Sequence, residues 1–136
     1  MNTEAAIEFV TSYLEQLYEA DRVYKAERRS IAGHRSVQPD EGKALLESAL
    51  EAKRAAFRHH WSFEPEEHEH FPGFVGWPSE HDPTQTRNWA AREVAPGQFE
   101  VEFKKQGPLL PSKCIYEVHV VAGVARIMSC NETSEA

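Results

Sequence analysis

The chain has little of what would announce a familiar chemistry. It holds two cysteines and two methionines in 136 residues, too few thiols for a disulfide scaffold. A chain of this length can bury roughly two-thirds of its unfolded surface in one core, so neither a bridge nor a metal is required for stability. Long apolar runs are lacking, and the first twenty residues carry Glu4, Glu8, Glu15 and Glu19 without a basic start. Neither a signal peptide nor a membrane span is predicted, and a cytoplasmic protein is expected. Basic residues are outnumbered, 15 against 22 acidic, for a formal net charge of -7. That sign is wrong for following a phosphate backbone, so nucleic acid is not expected as a partner, whereas a cationic protein is electrostatically favoured. Ser62, Ser79 and Ser112 lack the context of a nucleophile elbow.

What is present is alternation. In Gln98 to Lys105, Phe99, Val101 and Phe103 fall on one face and Glu100, Glu102 and Lys104 on the other; in Lys113 to Val121, Cys114, Tyr116, Val118 and Val120 share a face opposite Ile115, Glu117, His119 and Val121. Arg87 to Val94 reads as a shorter strand, turned back by Ala95-Pro96-Gly97. The last hairpin closes at Ala122-Gly123. Because Ala resists positive φ, a three-residue loop Val121-Ala122-Gly123 is the expected turn. That register sets Val124, Met128 and Cys130 opposite Val120, Tyr116 and Cys114, with Arg126 the exception on an apolar face. Cys114 and Cys130 then oppose each other; a bond is geometrically conceivable, and two buried thiols are the expected state in a reducing compartment. Asn131 onward reads as a polar tail.

Ahead of these strands, Ile7, Val10, Leu14, Leu17 and Tyr18 trace one face of a helix capped by Asn2 or Thr3 and ended by Gly33. Pro39-Asp40-Glu41 opens a second helix that ends near His60, with Leu46, Ala49, Leu50, Lys53 and Phe57 on its stripe. Glu47, Glu51, Arg54 and Arg58, with Lys53 counted here as well, form its solvated face. Between helices and strands, Trp61 to Gln85 is broken by Pro65, Pro72, Pro78 and Pro83, yet carries too many rings for a linker. The expected fold is therefore α+β in a single domain, 1–136: a curved antiparallel meander of about four strands wrapped around two N-terminal helices.

This order, closed by Gly123-Val124-Ala125-Arg126-Ile127, resembles the nuclear transport factor 2-like superfamily, an α+β cone, with Ala125 where that family usually has an aromatic. The resemblance implies a range of activities, from isomerases, dehydratases and polyketide cyclases to bacterial immunity proteins that neutralise a cognate toxin. A short, acidic chain without a catalytic pair looks most like the immunity branch, which implies a basic toxin or effector as partner.

Three groups of residues carry candidate chemistry. Trp61, Phe71, Phe74 and Trp77, with Glu100 and Glu102 as an acidic rim, are the candidate partner-binding set, since Trp and Phe supply large contact area; capping the core is the other reading of these rings. Glu117 and His119 share a face two residues apart and are the acid/base candidates if the cone interior serves a small molecule. His68 and His70, beside His59, His60, Glu69 and His81, offer imidazoles for a metal, against the default of a solvated charged loop; no cofactor is expected. A homodimer pairing through sheet faces is a further expectation.

Overall fold

The computed structural model describes residues 1–65, 70–106 and 111–134. Helix α1 spans Thr3–Ala32 and α2 spans Pro39–His60. Asn2 caps α1, its side-chain oxygen accepting from Ala5 N at 2.8 Å, a contact worth about 1 kcal/mol in such positions. Pro39 opens α2, and Glu41 Oε1 accepts from Gln38 N at 3.3 Å. The expected sheet follows: β1 (Thr86–Ala95), β2 (Gln98–Lys105), β3 (Ser112–Val121) and β4 (Val124–Ser134) pair antiparallel in the order β1-β2-β3-β4, and the sheet is not closed.

The alternation in β2 and β3 fixes which side is roofed. Phe99, Val101, Phe103, Cys114, Tyr116 and Val118 are buried against Val10, Tyr13, Leu14 and Leu17 of α1 and Phe57 of α2. Removing a side chain such as Phe57 from water contributes about 2 kcal/mol or more, and stacked pairs organise the rest, with Phe57 4.8 Å from Trp61 and Trp89 4.1 Å from Phe103. Leu46, expected on the α2 stripe, is instead exposed (37%), because the buried stripe runs through Ala49, Lys53, Ala56, Phe57 and His60.

The last strand corrects the expected register. Val121 pairs with Val124 across a two-residue turn in which Ala122 and Gly123 have φ of 52° and 78°, so the three-residue loop is not formed. Val118 then faces Ile127, and a bulge at Met128 shifts the pairing, leaving Tyr116 opposite Cys130 and Cys114 opposite Glu132. The two cysteines do not oppose each other, and both are free thiols. Ser62 explains where the extra residue goes: its amide donates to Ile127 O at 3.1 Å and its hydroxyl to Met128 Sδ at 3.0 Å, so the end of α2 is tied to the bulge. Asn131 to Ser134 are not a free tail, since Ser112 to Ile115 offer them ladder partners. A second irregularity lets Asn88 and Trp89 oppose Phe103 alone; Asn88 takes φ 57° there, a conformation Asn tolerates.

Candidate functional site

Each helix carries one charge on its inward stripe. Asp21 follows Leu17 by one turn on α1, and Lys53 precedes Phe57 by one turn on α2; they are 1% and 0% exposed. They meet at 2.9 Å, Lys53 Nζ to Asp21 Oδ1. Both groups gain further hydrogen bonds from the chain that follows α2. Lys53 Nζ donates to Phe74 O at 2.6 Å, Gly76 N donates to Asp21 Oδ1 at 3.3 Å, and Ser79 Oγ donates to Asp21 Oδ2 at 2.5 Å while accepting from His81 N at 3.1 Å. A buried salt bridge is tolerable when its spare donors and acceptors find partners, and here Phe74 O, Gly76 N and Ser79 Oγ supply them.

That anchoring divides the predicted aromatic set. Trp61 is 3% exposed and stacks in the core, and Phe71 is half-buried edge-on to Phe57. Phe74 (64% exposed) and Trp77 (39%) face outward from the pinned segment. Trp77 leans on Tyr18 at 5.6 Å, and Lys25 Nζ lies 4.4 Å over its ring. Sequence reasoning singled out the rings and set Lys53 on the α2 stripe, but it did not name Asp21 or the pairing of the two. Their signal was available, a charge on the apolar stripe of each of two successive helices.

On the inner side of the sheet, between α1 and the β2, β3 and β4 strands, lies a cavity of about 390 Å³ lined by Tyr13, Trp61, Glu80, His81, Phe103 and Tyr116 among others. Burial holds both phenols well above the usual range, so they are neutral donors. Burial also pushes the Cys114 thiol to about 12 and Cys130 to about 11, which leaves no thiolate nucleophile at neutral pH. His81 Nε2 stands 3.2 Å from Glu80 Oε1 but off the line of a good hydrogen bond, and the adjacent imidazole holds the Glu80 carboxyl below its usual range. Such walls suit retention of a small molecule with hydrogen-bonding groups between aromatic faces.

Glu117 and His119 stand elsewhere, on the outer face of the sheet. His119 Nε2 is 2.6 Å from Glu117 Oε1, and Ser129 Oγ donates to Glu117 Oε2 at 3.1 Å. Serine and imidazole both engage the carboxylate, so neither activates the other. Glu100 and Glu102 share this outer face, engaged by Arg92 at 2.7 Å and Lys113 at 2.5 Å, and are not a rim around Phe74 and Trp77. His68 lies outside the described residues. His70 is stacked 6.0 Å from Trp61, and among the described residues no three His, Cys, Asp or Glu side chains converge as metal ligands. No described helix is long and apolar enough to cross a membrane.

Comparison of the chain with models of known families, with curated proteins and with solved structures returns no match.

Proposed function

We propose that the chain is a non-catalytic, cytoplasmic binding protein of the nuclear transport factor 2-like group, an immunity-type protein that neutralises a cognate basic toxin by covering it. The observation that carries this reading is the outward placement of Phe74 and Trp77 on a segment pinned by the buried Asp21 and Lys53. Exposed rings on a fixed backbone bind with little ordering cost. The net charge of -7 favours encounter with a cationic partner from a distance. The test is co-expression with each neighbouring reading frame of the source genome. One of them should arrest growth alone, this chain should restore it, and Phe74→Ser with Trp77→Ser should remove the rescue. If no neighbour is toxic, or none is rescued, the reading fails.

A second reading is favoured by the inner cavity of about 390 Å³, whose volume lies in the range of small-molecule sites. On that reading the chain is a ligand binder or an isomerase, dehydratase or cyclase type of enzyme, with Tyr13, Tyr116 and His81 as the polar contacts. Glu117 and His119 do not line this cavity. A thermal-shift screen of small metabolites separates the two: a hit abolished by Tyr116→Phe supports the cavity, and no hit in a broad set counts against it.

A further inference from the structure

Arg22, Lys25 and Arg29 recur along α1 at spacings of three and four residues and so share one side of the helix. With Trp77 they line a shallow depression of about 370 Å³, and among its described lining residues there are three cations and no carboxylate. Glu19 partly offsets this by pairing with Arg22 at 2.5 Å. The sign of charge is thus inverted locally on a chain whose net charge is -7. At the same place Lys25 caps one face of Trp77, Tyr18 supports the ring, and Phe74 stands exposed on the same pinned segment.

We propose that this patch docks an acidic segment of a partner protein, one that sets an aliphatic or aromatic side chain between Asp or Glu residues. The proposal rests on the reading of residues 74–79 as a docking surface and adds the chemistry of what that surface takes. Lys25 and Arg29 offer charge-assisted hydrogen bonds to carboxylates, and Trp77 with Phe74 offers apolar contact beside them. The backbone under both rings is already held by Asp21 and Lys53, so the complex does not need to order it. A partner that is basic overall is drawn in by the net charge, and its acidic segment fixes the orientation at contact. An anionic lipid surface shares the charge but fits less well, since the rest of the chain is acidic and would be repelled.

The test is selection of a displayed random peptide library against the full chain. Enriched peptides should carry Asp or Glu flanking an apolar residue. A resynthesised peptide should bind about tenfold more weakly to Lys25→Glu/Arg29→Glu and to Trp77→Ser, and more weakly at high salt. All three sites are on the surface, and unchanged circular dichroism and Tm confirm that the variants fold. Absence of enrichment, enrichment of basic or uncharged peptides, or equal affinity for the charge-reversed variant overturns the proposal. So does binding to phosphatidylserine-containing vesicles in place of peptides. Rescue from a toxin without acidic-peptide binding would remove this inference and leave the immunity reading standing; peptide binding without rescue would do the reverse.

Discussion

Lys53 Nζ lies 2.9 Å from Asp21 Oδ1 with both side chains shut away from solvent, and the pair is what joins the two helices to the aromatic segment. Truncating either partner strands the other charge in the interior. Lys53→Met and Asp21→Asn should each destabilise the fold by about 3 kcal/mol or more, read by urea unfolding. The double variant Asp21→Asn/Lys53→Met should lose clearly less than the sum. Each single variant should also make residues 74–79 more sensitive to brief proteolysis, because Lys53→Met removes the donor to Phe74 O and Asp21→Asn weakens the acceptor that holds Gly76 N and Ser79 Oγ. Additive losses with unchanged proteolysis would show that the pair does not hold the segment.

Much of the architecture could be read from periodicity, and what could not is traceable to particular residues. Phe99, Val101 and Phe103, and Cys114, Tyr116 and Val118, lie on the predicted buried face because a period of two leaves only one side to roof. The fourth strand escaped because two local departures compound: the Ala122-Gly123 turn moves the pairing one residue from the expected register, and the Met128 bulge moves it one further in the same direction, which returns the later residues to their expected face. Cys130 consequently lies on the inner side even though its predicted partner was wrong, while Val124 (50% exposed) does not. Ring type alone could not say that Trp61 turns inward and Trp77 outward. That difference is set by the parallel bridge of Trp61 to Ile127 and by the buried pair, contacts between residues distant in sequence. The functional expectation drew on net charge, whereas the arrangement around Trp77 depends on which cations share one helix side.

Ala122 at φ 52° holds a left-handed conformation that costs an L-residue about 1 kcal/mol or more. The strain persists because the turn must deliver Ile127 opposite Val118. Ala122→Asn, giving the Asn-Gly pair that this turn type prefers, should stabilise the protein by about 1 kcal/mol, or about 4 °C in Tm. A lower Tm in calorimetry would show that the turn is not the left-handed one described.

Both thiols should be inert in the folded protein. With burial raising Cys114 to about 12 and Cys130 to about 11 from a reference of 9.0, the thiolate fraction at pH 8 is small, and labelling by a thiol-reactive disulfide should be slow until unfolding. The same shifts carry a sign for stability. The unfolded chain loses these protons near pH 9 and the folded chain does not, so stability is present below pH 9 and declines as pH rises above it. Cys114→Ala/Cys130→Ala should flatten that alkaline decline. Rapid labelling of the native protein at pH 8 would contradict the burial of Cys114 and the partial burial of Cys130.

His60 gives the acid limb. It is 2% exposed, 5.0 Å from the Phe9 ring and 5.3 Å from Tyr13, with Nδ1 2.7 Å from Ala56 O, and burial lowers its affinity for a proton below the ordinary value of 6.5. Below pH 6.5 the unfolded chain binds a proton that the folded chain refuses, so this group's stability is present above pH 6.5 and is lost as pH falls toward the depressed folded value. A single site can contribute at most about 1.4 kcal/mol per pH unit to that slope. Urea unfolding of the native protein and of His60→Gln at pH 7.5, 6.5 and 5.5 isolates it, because the carboxylates titrate in both. The variant should start less stable, having lost its ring packing, yet fall less steeply between pH 6.5 and 5.5. Parallel slopes would mean that the imidazole takes its proton inside the folded protein, and that the junction of α2 with α1 admits water where the structure places aromatic rings.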